Sequence, residues 1–489
     1  MRALIENRFG FLALVLIALG ALFGVAFVTR QGVAPVPVPP PGRVAVESVS
    51  TVCPDPAGAR VSAITPPGGK GDGVATVAEV TEPGGKAPSV TRLEGPGVLW
   101  QREAPAKSGP LEVSGSGAMA AGLEAAQTTR RLKGTARGLA GVRCAEPGAG
   151  AWFVGPGPAA ADVVLYLANA DAADAIAEVL VYAGEGPVVS DRGNSLVLKP
   201  GEHRTVHLRD LAPSPLVMAI EVRTISGRVA ASARAVLGKG KGADWLPAAA
   251  APARTVVVPG IPGGGGRREL YVTAPGETDT VVHVKALTAD AFFAMKNRES
   301  LDVPAGSTAS LDVSTGIGGQ PAAMVLTADV PIVAGVMATG TGSKPDVAFT
   351  AGAPAIEFGS VVADNRGGKD VSSRLILSAP GARAEVRVQV LPKRGAAPPP
   401  VDVEIPAART KEIKLAPPGG GDFSVVVTPQ PKSGPVYGGR VLDERTPDGL
   451  LLTAQPLALA RTWVIAPPVQ ESSDVVLPDR PAPPSTGGD

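Results

Sequence analysis

Histidine is the first side chain to consider for acid–base or metal chemistry, and the 489-residue sequence contains His203, His207 and His283. If residues 203–207 form a strand, His203 and His207 share a face but lie about 13 Å apart, too far to bind one metal ion. The sequence has no HExxH zinc motif, GxSxG nucleophile elbow or EF-hand calcium loop. We therefore predict no catalytic, metal-binding or cofactor-binding residue and interpret the histidines as solvated strand residues.

Two glycine-rich segments, residues 68–73 and 263–266, are the next candidates, because phosphate-binding loops are rich in glycine. Neither segment contains the Gly-Lys-Ser/Thr sequence of such a loop. We interpret both segments as hairpin turns.

Five basic residues follow one another without an intervening acid: Arg130, Arg131, Lys133, Arg137 and Arg143. Such a cluster is a candidate contact for an anionic envelope polymer or for phospholipid headgroups. A solvated face with no partner is the alternative. The whole chain carries 46 Lys+Arg and 45 Asp+Glu, so no overall basic field favours nucleic acid, and we predict no nucleic-acid binding.

The sequence contains two cysteines, Cys53 and Cys144. We predict a disulfide between them if this part of the chain lies outside the cytoplasm, where disulfides persist. Closing a loop of this length stabilises a fold by about 4 kcal/mol if the effect is loop entropy alone. Two buried free thiols are the alternative.

The longest apolar stretch, residues 9–29, has no charged residue and is long enough to cross a bilayer as one helix. Arg2 and Arg8 precede it, so the positive-inside rule predicts a cytoplasmic N-terminus at residues 1–8 and places the remaining chain outside the cell membrane. A cleaved signal peptide is the alternative, but the stretch exceeds the usual signal-peptide core and no good cleavage site follows. Membrane lipid is therefore one predicted partner.

Gly20 and Gly24 form a GxxxG pair in this helix, which is a candidate helix-dimer face and makes a homodimer a candidate state. Glycine is also common in membrane helices that do not dimerise. Residues 30–42 follow as a proline-rich spacer, for which we predict an extended polyproline conformation.

A repeat of 105 residues follows the first hundred and fifty residues. Equivalent strands open at Leu165, Leu270 and Leu375. Each copy continues as short alternating apolar segments between Gly/Pro turns, as around Arg387 and Gln389, which is typical of β-sandwiches. We predict an all-β fold of tandem immunoglobulin-like β-sandwich units after an N-terminal transmembrane helix. The predicted boundaries are residues 43–150 for a disulfide-clipped β region, 151–244, 245–345 and 346–462 for three sandwich units, and 463–489 for a terminal strand and proline-rich tail.

Three stretches carry a resemblance to known proteins: VRCAEPGAGAWFVGPG, ADWLPAAAAPARTVVVPGIPGGGGRRELYVTAPGE and PAAMVLTADVPIVAG. They resemble an uncharacterised actinobacterial family of membrane-anchored secreted proteins, classed as a domain of unknown function. The likeness covers most of the chain after the spacer. More loosely, the unit that opens at residues 152–155 is similar to tandem extracellular β-sandwich repeats of bacterial surface proteins. The third copy departs from this pattern because Phe358 and Gly359 replace the tryptophan-led opening.

These observations favour a non-enzymatic structural or interaction protein of the cell envelope, with an envelope protein or polymer as partner. The alternative from a different class is an accessory subunit of a membrane enzyme that makes envelope polysaccharide. A secreted hydrolase is a third hypothesis, which would require a cleft with close carboxylates or a Ser/His pair.

Overall fold

A computed structural model of the protein describes residues 8–28, 42–84, 88–417 and 419–466. Helix α1 spans Arg8–Val28 and is, in this described part, the one helix long and apolar enough to cross a membrane. Leucine and alanine dominate the helix, and both favour helical backbone. Residues 1–7, the predicted spacer up to residue 41 and the predicted tail after residue 466 lie outside the described residues.

Apart from two short 3-10 helices, Asp191–Gly193 and Leu208–Asp210, the other regular elements of the described residues are strands, and all but two of these strands group into four β-sandwiches. Sandwich 1 contains β2 (Ser48–Cys53), β3 (Arg60–Ile64), β4 (Gly73–Glu79), β5 (Thr91–Arg92), β6 (Trp100–Glu103), β7 (Leu111–Gly117), β8 (Glu124–Arg131) and β9 (Gly138–Arg143). Sandwich 2 contains β10 (Gly150–Pro156), β11 (Asp162–Ala168), β12 (Ala175–Ala183), β13 (Gly186–Val188), β14 (Leu196–Leu198), β15 (His203–His207), β16 (Val217–Ser226), β17 (Ala230–Val236) and β18 (Ala243–Leu246).

Sandwiches 3 and 4 continue the chain in the same way. Sandwich 3 contains β19 (Ala253–Ile261), β20 (Arg268–Ala274), β21 (Thr280–Leu287), β22 (Phe292–Ala294), β23 (Ser300–Val303), β24 (Ser307–Asp312), β25 (Ala322–Thr339) and β26 (Val347–Ala351). Sandwich 4 contains β27 (Ser360–Gly367), β28 (Val371–Ala379), β29 (Ala384–Pro392), β30 (Val401–Ile405), β31 (Arg409–Leu415), β32 (Gly421–Pro429), β33 (Tyr437–Thr446) and β34 (Gly449–Pro456). A separate two-stranded sheet pairs β1 (Gly42–Ala45) with β35 (Trp463–Ala466).

All four sandwiches share one strand order. With the strand positions numbered 1 to 8 along each sandwich, one sheet joins positions 1, 6, 3 and 4, and the facing sheet joins positions 5, 2, 7 and 8. Position 4 is shared by β13 and β14 in sandwich 2 and by β22 and β23 in sandwich 3. In sandwich 3 the 18-residue strand β25 supplies positions 6 and 7 in both sheets. Neighbouring strands in sandwich 4 are antiparallel throughout. The common order identifies the four sandwiches as copies of one unit.

The strands form because apolar and polar residues alternate along them. In β29, Val386 and Val388 are buried while Arg387 between them is exposed, as the period of two predicts. In β21 the same alternation buries Val282 and Val284 and exposes His283. The predicted all-β fold with an N-terminal helix is confirmed.

Two details differ from the sequence-based expectation. The disulfide-clipped region is itself a complete sandwich with the common strand order, so the described chain contains four copies rather than three. The second and third copies also end later than predicted, at Leu246 and Ala351 instead of residues 244 and 345. The reason is that an eighth strand forms the edge of one sheet in each of these copies. In sandwich 2, for example, Leu246 of this strand lies opposite Ala233 of β17.

The four sandwiches, within the unit of residues 45–464, close into a ring. The first strand of each sandwich packs on strands 2 and 7 of the next: β10 on β20 and β25, β19 on β28 and β33, and β27 back on β3 and β8. Val52 of β2 packs against Ala168 and Ala230 of sandwich 2 in the same manner. The eighth strands meet at the centre, where β9 and β26 each contact both β18 and β34.

Candidate functional site

The predicted disulfide is present in the structure. Cys53 ends β2 and Cys144 follows β9, and their sulfur atoms are bonded across 91 residues of sequence. Both residues are fully buried in the core of sandwich 1. The bond therefore joins the first strand of this sandwich to the segment after its last.

The five basic residues do not form one exposed face. Arg130 forms an ion pair with Glu444 of sandwich 4, and the Arg143 Nε lies 2.7 Å from the Glu124 Oε1. Arg137 is buried, and its Nη1 donates a hydrogen bond of 2.8 Å to the main-chain oxygen of Lys344. Only Arg131 and Lys133 of the five are exposed without an ion pair in the described part of the chain. The five basic residues of the β8–β9 hairpin therefore contact different segments of the protein. This arrangement corrects the expectation of a single anion-binding cluster.

The other candidate residues lie apart from one another. Gly20 and Gly24 are on α1, and a Cβ built on either has no atom within 4 Å, so the helix-dimer face remains a prediction. His203 and His207 of β15 are exposed, as is His283. Among the described residues no group of His, Cys, Asp and Glu is arranged to hold a metal ion.

Asp346 lies directly before β26 and is fully buried where the eighth strands meet. Its Oδ2 accepts the backbone N–H of Leu139 at 2.9 Å and that of Leu452 at 3.1 Å. Its Oδ1 accepts the N–H of Ala243 at 3.4 Å, and the N–H of Val347 also bonds this carboxyl group. Burial raises the pKa of Asp346 to about 7, although the backbone hydrogen bonds act in the opposite direction. One carboxyl group of sandwich 3 thus bonds the main chains of the three other sandwiches.

Asp244 of β18 is a second buried carboxyl group at this centre. Its Oδ1 accepts the N–H of Gly141 in sandwich 1 at 2.9 Å, the Oγ1–H of Thr453 in sandwich 4 at 3.0 Å and the N–H of Trp245 at 2.9 Å. Burial raises the pKa of Asp244 well above its usual range, and the neighbouring Asp346 raises it further. We call Asp244 and Asp346 the hub.

Sandwiches 2 and 3, and sandwiches 3 and 4, meet through a repeated hydroxyl contact. The Oγ1 of Thr308 donates to the main-chain oxygen of Tyr182 at 2.7 Å, and the Oγ1 of Thr410 donates to that of Leu287 at 2.9 Å. The hydroxyl groups bonded to these two are those of Thr273 and Ser378. We call these contacts the hydroxyl junctions. Because the two sets occupy equivalent register positions, the contacts repeat with the sandwiches.

The contact between sandwiches 1 and 2 is apolar at the same positions. The register places Ala168 opposite His203, where the next copies have paired hydroxyl groups. Val52, Val80 and Ala230 pack around Ala168. The shared fold therefore tolerates different chemistry at its junctions.

The contact between sandwiches 4 and 1 is the closing junction. It combines an apolar cluster, in which Ile64 packs with Val361 and Ala363, with a buried charge network. Arg60 of sandwich 1 places Nη2 2.7 Å from Asp364 Oδ1 and Nη1 2.6 Å from Asp422 Oδ1. Thr128 donates a hydrogen bond to the other oxygen of the fully buried Asp364. Burial lowers the pKa of Arg60, but the two carboxylates outweigh it and the pKa is raised.

Arg440 of β33 is a fully buried cation beside this junction. Its Nε, Nη1 and Nη2 atoms have no hydrogen-bond partner among the described residues. Burial lowers its pKa, while the charges of Asp364 and Asp244 act to raise it. Arg440 therefore lies near Asp364 of the closing junction and Asp244 of the hub without a hydrogen bond to either carboxyl group.

A charged cleft of about 910 Å³ opens between sandwiches 3 and 4. Arg374 forms one wall, with its Nη1 2.6 Å from Glu412 Oε1 and its Nη2 bonded to Asp443. The charged residues lining the cleft, besides these three, are Lys369, Asp370, Lys414 and Arg445. Six glycines also line it: Gly263, Gly264, Gly319, Gly342, Gly368 and Gly449. The glycine-rich segment 263–266, which we interpreted as a turn, thus contributes to this cleft.

The hub and the cleft were both missed by reasoning from the sequence. Asp244 and Asp346 follow no motif, and their partners are main-chain groups in distant segments. The charged residues of the cleft come from three strands and from the loop between β27 and β28. A usable signal exists only for the hydroxyl junctions, where Thr273 and Ser378 are separated by the repeat length of 105 residues.

The fold defines a class of protein: four β-sandwiches of one topology closed into a ring, preceded along the chain by an apolar helix. The chain belongs to a family of unknown function, DUF5719, whose sequence profile matches residues 100–416. No curated protein matches the sequence.

Proposed function

We propose that the protein is a non-enzymatic interaction protein of the cell envelope, anchored in the cell membrane by α1 with residues after 30 outside. The ring is the part that meets the partner. The observation that carries the proposal is a ring whose hub bonds all four sandwiches, because such a body holds its loops and clefts in fixed positions for a partner.

Two further observations support this location. The disulfide between Cys53 and Cys144 suits an oxidising compartment. The part of helix α1 from Gly10 to Val28 carries no charged residue, and its residues from Phe11 onward are exposed, which suits a lipid environment.

The first test measures orientation. In a Cys53→Ala/Cys144→Ala background, a single cysteine is placed at Glu6→Cys or at the exposed Lys107→Cys, and intact cells receive a membrane-impermeant maleimide. We expect labelling at position 107 in intact cells and at position 6 only after lysis. Labelling at position 6 alone in intact cells would reject the proposed orientation. Fluorescence of the buried Trp245 serves as the folding control for the background variant.

The second test identifies the partner by cross-linking the full-length protein in intact cells, extracting it in detergent and analysing what is attached. Recovery of envelope polymer or of an envelope protein supports the interaction role. Recovery of one polysaccharide-synthesising membrane enzyme in stoichiometric amount, with its activity lost when the ring is deleted, favours the accessory-subunit alternative instead.

A further inference from the structure

The charged cleft between sandwiches 3 and 4 has cations that no protein group neutralises. Lys369, Lys414 and Arg445 are exposed and form no ion pair within the described residues. Lys414 lies directly opposite Arg374 in the sheet, so two cationic side chains are cross-strand neighbours. Glu412 and Asp443 neutralise Arg374, whereas Lys414 forms no ion pair among the described residues, so an anion above Lys414 would relieve the like-charge contact.

The acids of the cleft are arranged differently from the cations. Glu412 and Asp443 are both bonded to Arg374, and Asp370 is the remaining acid of the lining. The charged residues of the lining that form no ion pair are therefore three cations and one carboxylate. The committed carboxylates still have free lone pairs, because a carboxylate oxygen accepts more than one hydrogen bond.

We propose that this cleft binds a hydroxyl-rich anionic polymer, with its phosphate or carboxylate groups at Lys369, Lys414 and Arg445 and its hydroxyl groups donating to Glu412 and Asp443. The inference deepens the proposed function by naming the chemical class of the partner. A volume of about 910 Å³ exceeds what one phosphate group fills, so a chain of several units suits it better than a single ion.

The shape of the site favours a polymer over a membrane surface. The cations line a concave cleft between two sandwiches, whereas lipid headgroups present themselves on an extended surface. The glycines on the edges add no side-chain bulk, so the cleft stays open to a flexible chain. None of the described residues that line the cleft is aromatic, so recognition rests on charge and hydrogen bonds rather than on sugar stacking.

The test uses full-length protein in a neutral detergent and a fluorescent oligomer of glycerol phosphate, which carries both anionic and hydroxyl groups. A triple variant, K369Q/K414Q/R445Q, removes the uncommitted cations. A matched triple variant, K107Q/R254Q/K296Q, removes the same charge from exposed positions outside the cleft. Thermal unfolding monitored by tryptophan fluorescence establishes that both variants fold.

We expect the oligomer to bind the unmodified protein and the matched variant equally, and the cleft variant about tenfold or more weakly. Neutral dextran should not bind. Equal loss of affinity in both triple variants would overturn the proposal, because binding would then follow net charge alone. Absence of oligomer binding, or cleft-dependent binding only to phosphatidylglycerol vesicles, would overturn it as well. These outcomes are independent of membrane orientation, so they are separable from the failure of the proposed function.

Discussion

The hydroxyl junctions and the closing junction join sandwiches of the same fold by different means. At the hydroxyl junctions, Thr308 and Thr410 make the same bond to the preceding sandwich, at equivalent positions of the repeat. At the closing junction, Arg60 binds two carboxylates of a sandwich more than 300 residues away in sequence. A contact between consecutive copies is repeated when the unit is repeated, but the contact that closes the ring occurs once and has its own chemistry.

The hub is common to both kinds of junction, and breaking it should have the largest effect. Asp346→Ala leaves the buried N–H groups of Leu139, Leu452 and Ala243 without their acceptor. We expect a loss of about 5 kcal/mol in the free energy of unfolding, since each unsatisfied buried donor costs about 1–3 kcal/mol. Urea unfolding of the full-length protein in detergent, followed by tryptophan fluorescence, measures it. The exposed Asp302→Ala variant is the control and should show no measurable change; similar stability of both variants would mean that Asp346 is not a hub.

The titration of Asp346 sharpens this prediction. Its pKa is about 7 in the folded protein, against an ordinary value of 3.8, so the folded state favours the protonated form. The contribution of this group to stability is full below pH 4, falls as the pH rises to about 7 and is constant above that. The free energy of unfolding of the unmodified protein, relative to that of Asp346→Asn, should therefore fall by a few kcal/mol between pH 4 and pH 7. A difference that rises with pH over the same range would show that the four N–H donors hold an ionised carboxylate instead.

The closing junction should respond strongly to loss of its cation. Arg60→Met leaves the fully buried Asp364 with a single hydroxyl donor, Thr128. We expect a loss of about 3 kcal/mol, because breaking a buried ion pair leaves an uncompensated charge. The exposed Arg254→Met variant is the matched control. An equal response of the two variants in urea unfolding would contradict the charge-dependent account of this junction.

The hydroxyl junctions should show smaller and equal effects. Thr308→Val and Thr410→Val each remove the hydrogen bond to a buried carbonyl and the bond to the hydroxyl group of Thr273 or Ser378, with a loss of about 1–3 kcal/mol. The exposed Thr205→Val variant serves as the control. Thermal unfolding of the three variants side by side measures the effects. Clearly unequal losses at Thr308 and Thr410 would show that the two junctions are not equivalent.

Much of the fold could be predicted from the sequence, for physical reasons that are local. The alternation of apolar and polar residues in segments such as β29 predicts which side chains are buried. The 105-residue spacing of Leu165, Leu270 and Leu375 reveals the repeat. The pairing of Cys53 with Cys144 was predicted from the number of cysteines and from the compartment expected for them, and the disulfide is present in the structure. None of these inferences needed information about distant contacts.

The ring and its hub could not be predicted, because they depend on contacts between segments far apart in sequence. Sandwich 2 has Ala168 and His203 where sandwiches 3 and 4 have the hydroxyl pair, and the kinship of sandwich 1 with the other copies is visible in the strand order. Arg130 and Arg143 looked like members of one basic cluster, but their partners, Glu444 and Glu124, lie on different strands. Sequence shows the charge of a side chain and not the neighbour that neutralises it.

Zero-length cross-linking across the closing junction tests the ring most directly. A carbodiimide joins a lysine to a carboxylate only where the two are in contact, so Arg130→Lys is prepared to meet Glu444. The ion pair of Lys344 and Asp448, whose Nζ and Oδ2 atoms are 2.9 Å apart, is the internal positive control. We predict an intramolecular link between positions 130 and 444, with mixed isotope labelling excluding links between chains. Formation of the control link without the link from 130 to 444 would contradict a closed ring.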